Sequence, residues 1–385
     1  MPAFRTPIKS KLPGRGTTIF TIMSTLANEC GAINLSQGFP DFLCDERLIS
    51  LVEYYMRKGM NQYAPMPGIL SLREAIAEKA ELLYQAKYSP ETEITITSGG
   101  TEAIYAAITA VVHEGDEVII FEPAYDCYAP AVELNLGIPV YIELTSPDYS
   151  INWHEVRKCI SDRTRMIIIN TPHNPSGMVM SKNDMEELQR LTSNSDIIIL
   201  SDEVYEHIIF DDHAHQSVLR YPLLAERSFV IFSFGKTYHN TGWKMGYCLA
   251  PAELMREFRK AHQFIVFSAN TPYQYAFAEM LKEQSYYSGL RDFYQGKRDY
   301  FLKLIKESRF IAKPADGSYF QMLSYKEITM EKDTDFAIRI TKEHGVASIP
   351  VSAFYHNSLD NKMLRFCFAK EDHTLESAAE RLIKI

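Results

Sequence analysis

No apolar run in this chain approaches the roughly 20 residues needed to cross a bilayer; its apolar runs are short, Met166-Ile167-Ile168-Ile169 being typical. A membrane span is not expected. Basic charge is in deficit, with 40 lysines and arginines against 49 acids, for a formal net charge of −9. That balance argues against a broad grip on the phosphate backbone of a nucleic acid, so any anion site must be local. The six cysteines, at positions 30, 44, 127, 159, 248 and 367, include no CxxC pair and no regular spacing. They read as reduced core thiols and not as a disulfide framework or a metal site. The start is basic, with Arg5, Lys9, Lys11 and Arg15, but no apolar stretch follows it. No secretory signal is therefore expected, and the cytoplasm is the expected compartment. Internal repeats and low-complexity tracts do not stand out.

What the chain does have is an ordinary globular composition, 46% apolar and 23% charged over 385 residues, enough for two domains. Seven short runs rich in β-branched and aromatic residues lie at 94–97, 118–121, 140–142, 166–169, 197–200, 229–232 and 247–250. Helical patterns, such as 102–112 and 182–191, separate most of them. This alternation predicts a wide α/β sheet with helices on both faces, a three-layer arrangement built from right-handed crossovers. After Pro272 the pattern changes to long charged helical stretches, then strand-like runs at 318–322, 346–349 and 363–368 alternating with helix-like 335–342 and 375–385. A second, smaller α/β domain fits. The expected division is a large domain at 45–284 and a small one made of 285–385 with the N-terminal arm, 1–44, docked on it.

Chemistry-bearing residues collect where strands end. Ser98-Gly99-Gly100-Thr101-Glu102 follows a strand and opens a helix, so the amides of Gly100, Thr101 and Glu102 suit a phosphate; a plain β-to-α turn explains the glycines equally well. Tyr125 follows the next strand, placed either to stack on a flat ring or simply to pack. Asn170-Thr171-Pro172-His173-Asn174-Pro175-Ser176-Gly177 is a constrained loop after another strand, in which each asparagine is also a plausible loop cap. Asp202, with Tyr205 three residues on, ends a buried strand; an acid there needs a cationic partner, unless it is a helix N-cap. Ser233-Phe234-Gly235-Lys236 follows the strand at 229–232, with Lys244 eight residues beyond Lys236. Lysine pairs are commonly solvated, but a desolvated lysine beside another cation becomes an amine nucleophile.

In order and spacing these fragments resemble the fold-type I pyridoxal-phosphate enzymes, and among them the class I/II aminotransferases, over nearly the whole chain. The signature is Ser233-x-x-Lys236-x7-Lys244 with Asn170-x-x-x-Asn174-Pro175-x-Gly177 and Asp202-x-x-Tyr205. Leu35-Ser36-Gln37-Gly38-Phe39-Pro40-Asp41, Asn61-Gln62-Tyr63 and Ser233-Phe234-Gly235-Lys236-Thr237 are similar to the methionine aminotransferase and kynurenine/glutamine transaminase branch. The resemblance implies a mostly parallel seven-stranded sheet and pyridoxal 5′-phosphate as cofactor. It makes Lys236 the lysine that joins the cofactor as a Schiff base and later moves the substrate proton. Asp202 would pair with the pyridine nitrogen, and Tyr205 and Asn174 would hydrogen-bond the 3′-oxygen. Tyr125 would stack on the ring. Gly100, Thr101, Ser233 and Lys244 would hold the phosphate, Lys244 standing where many members have arginine. Arg365 would clamp the substrate α-carboxylate with Asn174 and the backbone of Gly38; read alone it would be a surface ion pair. Tyr63 would reach the phosphate of a neighbouring subunit, which implies a homodimer with shared sites.

The implied reaction is ping-pong transfer of an α-amino group from an amino acid to a 2-oxo acid. No second arginine for a side-chain carboxylate can be assigned, and the expected pocket draws on Phe20, Phe39, Tyr125 and the partner's Phe267. Apolar or aromatic donors therefore fit better than acidic ones, with Arg15 the one candidate for a hidden cation. Two alternatives stand beside this reading. A carbon–sulfur β-lyase would use the same Lys236, Asp202 and Arg365. A non-catalytic cofactor-binding regulator would be marked by a fused DNA-binding segment or a lost lysine, neither of which is seen.

Overall fold

The computed structural model describes Thr6 and residues 8–385, so Arg5 and the rest of the extreme N-terminus lie outside the described residues. Thirteen strands occur among the described residues. They are β1 (Ile33–Asn34), β2 (Ile94–Thr97), β3 (Glu117–Glu122), β4 (Ile138–Glu143), β5 (Thr164–Asn170), β6 (Ile198–Asp202), β7 (Ser228–Ser233), β8 (Gly246–Leu249), β9 (Ile311–Ala312), β10 (Phe320–Ser324), β11 (Val346–Ala347), β12 (Ile349–Pro350) and β13 (Met363–Cys367). The seven runs between 94 and 249 pair into one sheet in the order β2-β8-β7-β6-β5-β3-β4. β3, β4, β5, β6 and β7 run parallel, and β8 is antiparallel to both of its neighbours.

Side chains alternate across a strand, so each buried run feeds two faces. Ile119, Ile167 and Ile199 enter one core while Val118, Ile168 and Leu200 enter another. That is the three-layer arrangement the unbroken apolar runs predict. Edge strand β4 is partly open to solvent. Helix Gly100–Val111 follows β2, and helix Lys182–Thr192 follows β5, opened by a reciprocal cap between Ser181 and Asp184. No helix among the described residues is long and apolar enough to cross a membrane.

A second sheet has the order β12-β13-β10-β9, all antiparallel. The expected single strand at 346–349 is in fact two. Val346 and Ala347 pair in parallel with Ile33 and Asn34 of the N-terminal arm, whereas Ile349 turns to pair with Arg365 of β13. Pro350, without an N–H, then ends that short ladder. The run expected at 318–322 starts as strand only at Phe320, because Ser318 sits at φ 62°, a left-handed conformation no strand tolerates. The helix expected at 335–342 begins at Asp333 and loosens into a wider turn, Ile340–His344, stopped by Gly345 at φ 69°.

Candidate active site

Because β8 reverses direction, its amino end shares one edge of the large sheet with the carboxyl ends of β2, β3, β5, β6 and β7. That topology brings Gly99, Tyr125, Asn170, Asp202, Ser233 and Lys244 together from six strands. They wall a cavity of about 310 Å³, closed from the other side by Phe20, Gly38, Phe320 and Arg365. Of the residues singled out in the sequence, Gly38, Gly100, Thr101, Asn174, Tyr205 and Lys236 also line it.

Lys236 lies in the short helical turn after β7, its Nζ donating to the Tyr319 hydroxyl at 2.7 Å and lying 5.5 Å from the ring centroid of Tyr205. Tyr319 in turn donates to the carbonyl of Gly38. Burial lowers the lysine to about 8, with the charges of Lys244 and Arg365 acting in the same direction and Cys367 and Asp202 opposing. Asp202 ends β6 beside Asn170 of β5 in register, and no helix follows it, so it is not a helix cap. Tyr128 donates to its Oδ2 at 2.6 Å, yet burial raises the carboxyl to about 6, against the bonds from Tyr128 and the Val204 amide. No side-chain cation pairs with it among the described residues.

The turn that carries Asp202 and Tyr205 is held from behind by two further acids. Glu203 accepts from the Ser201 hydroxyl at 2.8 Å, the Val218 amide at 3.1 Å and His215 at 2.7 Å. Glu206 pairs with buried Lys79 and accepts from Tyr84. Asn170 is a loop cap: its Nδ2 donates to the carbonyls of Pro172 and Asp202, and its Oδ1 accepts from the Asn174 amide at 2.8 Å, fixing Asn174 over the cavity.

At the opposite end, helix Gly100–Val111 points its amino terminus into the cavity behind Gly99, which adopts φ 84°. A Cβ on Gly99 would lie 3.5 Å from Lys244 Nζ, and one on Gly246 would lie 3.0 Å from the Gly100 amide nitrogen. Backbone amides and a cation thus crowd one spot, the setting an anion requires. Tyr125 reaches Thr101, their hydroxyl oxygens 3.4 Å apart.

Arg365 is only 1% exposed, on the central strand β13. It forms no ion pair among the described residues, which overturns the surface-pair reading. Its Nη1 donates to Asn174 Oδ1 at 2.7 Å and its Nη2 to the Ser36 carbonyl at 2.9 Å, while Nε has no partner. Phe320 lies flat against it at 3.8 Å, with Phe20 beyond at 5.2 Å. Burial lowers the guanidinium to about 10. Such a cation requires an anion.

Two candidates, Phe39 for the wall and Arg15 for a hidden cation, fall elsewhere. Phe39 is 40% exposed, not in the wall, because Lys370 donates to its carbonyl and sits over its ring. Arg15 is bound to Glu133 at 2.7 Å and does not line the cavity. Tyr63 is 84% exposed, its ring 5.4 Å from Phe267 of the same chain. Tyr128, Tyr319 and Phe320 were not identified from sequence; each arrives through a tertiary contact, and only the proximity of Tyr128 to Tyr125 hinted at one of them.

A buried amine, an unpaired buried carboxyl, an anion cradle and an unpaired buried arginine therefore share one cavity. The family model for aminotransferases of class I and II matches residues 31–382. The chain belongs to that family. It is 49% identical over 375 residues to methionine aminotransferase of Escherichia coli K12, covering 97% of each chain. It is 32% identical to kynurenine–oxoglutarate transaminase of Dictyostelium discoideum, covering 96% of this chain and 94% of the relative. A crystal structure of the Escherichia coli protein YbdL, described as having a methionine aminotransferase function, superposes with a TM-score of 0.97 at 48% identity, covering 99% of this chain and all of the other. These matches agree with the branch suggested by the motifs and with the fold-type I architecture. The cofactor of this aminotransferase is pyridoxal 5′-phosphate, and the cavity fits it. Asp202 lacks the cation that a protonated ring nitrogen would be, and the Gly99–Lys244 cradle lacks the anion that a phosphate would be.

Proposed function

We propose that the chain transfers the α-amino group of an apolar or aromatic amino acid, with methionine-like, phenylalanine, kynurenine and glutamine donors in that class, to a 2-oxo acid in a ping-pong cycle. The observation that carries this reading is the placement of Lys236, its amine lowered to about 8, between the unpaired Asp202 and the unpaired Arg365 in one cavity. Bound pyridoxal phosphate supplies an electron sink for the substrate α-carbon and a carrier for the amino group. Asp202 would keep the ring nitrogen protonated, Tyr205 and Asn174 would bond the 3′-oxygen, and Tyr125 would cover the ring face. Gly100, Thr101, Ser233 and Lys244 would hold the phosphate. Arg365 would take the α-carboxylate through Nε and its remaining Nη hydrogens, with Asn174 and Gly38 bordering it. That would orient the α-hydrogen toward Lys236 Nζ, whose lowered basicity favours the neutral amine that can accept the proton and then return it. Tyr319, by holding Nζ, limits where the proton can go.

Side-chain choice follows from the wall. Once Lys236 and Lys244 serve the cofactor and Arg365 the α-carboxylate, no further unpaired cation faces the cavity among the described residues, while Phe20, Tyr125 and Phe320 do. Relatives described as methionine and kynurenine aminotransferases support the same choice. The test is kcat/KM for methionine, phenylalanine and aspartate against one oxo acid. Burying an unpartnered carboxylate is expected to disfavour aspartate by at least about a hundredfold, and a preference for aspartate would overturn the reading.

We further read the chain as a cytoplasmic homodimer in which Tyr63 serves the neighbouring subunit's phosphate, with 45–284 as the cofactor-binding domain and 1–44 plus 285–385 as the small one. The exposed pair of Tyr63, 84% exposed, and Phe267, 45% exposed, supports a covered surface there. The cysteines, all unpaired in the structure, support a reducing compartment.

A further inference from the structure

The buried acids that end β3 and β6 each accept a side-chain hydrogen bond. Glu122 accepts from the amide and ring nitrogen of His356 at 2.6 and 2.7 Å, and Asp202 accepts from Tyr128. Asp126 is different. It lies in the turn between β3 and helix Tyr128–Leu134, directly after Tyr125, and lines the cavity together with Gln37, Phe20 and Arg365. Among the described residues no other residue donates a hydrogen bond to its carboxylate and none forms an ion pair with it; only its own amide does. Burial raises this carboxyl above the usual range, opposed by the more distant charges of Arg365 and Arg15. The mechanism proposed above gives Asp126 nothing to do.

We propose that Asp126 is a specificity-determining residue: its unpartnered carboxylate, in the wall beside the arginine clamp, excludes substrates with acidic side chains and leaves the cavity to those with neutral ones. This rests on the aminotransfer reading. An α-carboxylate is compensated by Arg365, but a second carboxylate on the substrate side chain would meet Asp126 within the same cavity, where like charges repel. Repulsion therefore adds to the absence of a second cation. Since both halves of a ping-pong cycle use the same cavity, the rule applies to the amino acceptor as well as the donor. The substrate class on each side is then a neutral amino acid and a 2-oxo acid without a second carboxylate. A side chain bearing an amide or an aromatic amine has an N–H that Asp126 can accept.

The experiment compares holoenzyme of the wild type with Asp126→Asn and Asp126→Ser. The ratio of kcat/KM for aspartate to that for methionine is expected to rise at least about tenfold in both variants, and likewise the ratio for dicarboxylic over monocarboxylic oxo-acid acceptors. An unchanged ratio, including one in which every substrate loses activity together, overturns the proposal, since that is what a merely structural role or an effect through Arg365 would produce. A second measurement needs no turnover and no variant. Calorimetric titration of the wild-type holoenzyme with pentanoate and with succinate should show pentanoate binding at least about tenfold more tightly, and equal or tighter binding of succinate overturns the proposal. Loss of methionine turnover in the wild type would instead refute the aminotransfer reading, so the two failures are distinguishable.

Discussion

Asp202 carries an electrostatic cost that only a bound cation relieves. In the cofactor-free chain its folded carboxyl titrates near 6 in place of the ordinary 3.8, so folding takes up a proton between those values. Stability must therefore fall as pH rises through that window, by about 3 kcal/mol from this group. Asp202→Asn is expected to abolish that slope, as read by denaturant unfolding of the cofactor-free protein at pH 4.5 and pH 7, and to lose turnover once loaded because an amide cannot hold a ring nitrogen protonated. Arg365 is the complementary case, a buried cation awaiting an anion. Arg365→Ala should lower kcat/KM for every donor by an amount equivalent to about 2–5 kcal/mol, while the order of donors is kept, because all share the α-carboxylate.

At the scale of elements, β8 does more for the site than its four residues suggest. Its reversal carries Lys244 to the edge where the parallel strands end, and Gly246, its first residue, lets it pass the start of helix Gly100–Val111 at close range. A Cβ there would stand 2.7 Å from the Phe232 carbonyl oxygen and 3.0 Å from the Gly99 carbonyl carbon, backbone atoms that cannot rotate away. Gly246→Ala should push the helix start and Lys244 apart, destabilise the fold by about 1–3 kcal/mol and speed cofactor release. Thermal unfolding and the rate of pyridoxal phosphate loss on dilution check both effects. The turn after β6 is a second such device, with Glu203 and Glu206 anchoring its back so that Asp202 and Tyr205 keep their aim.

For the whole molecule, the expectation concerns subunits. If Tyr63 serves the neighbouring site, a mixed dimer of Tyr63→Phe and Lys236→Ala chains contains one native site and one doubly damaged one. Each mixed dimer should then have about half the activity of a wild-type dimer, so an equimolar, freely exchanged mixture of the two inactive or weakened parents should recover toward about a quarter. Sedimentation of the wild type as a fully active monomer would contradict the arrangement, since part of each phosphate environment would be missing.

Local sequence determined the parts that depend on short range. The apolar runs of β2 to β8 read as strands because a sheet buried on both faces needs no polar alternation. Lys236, Asp202 and Asn174 could be singled out because strand ends with punctuated turns are local events. Tertiary structure alone decided the rest. The direction of β8 is set by which neighbours it pairs with, and the splitting of residues 346–349 by a competing partner from the N-terminal arm. Tyr128 meets Asp202 from a helix that follows a strand two positions away in the sheet, and Tyr319 reaches Lys236 from the other sheet. The places of Phe39 and Arg15 were not legible for the same reason: they are settled by Lys370 and Glu133, far from them in the chain. Sequence spacing encodes which residues share an element, but pairing between elements is a global minimum of burial and hydrogen bonding, and it is that minimum which left Asp126 without a partner in the wall.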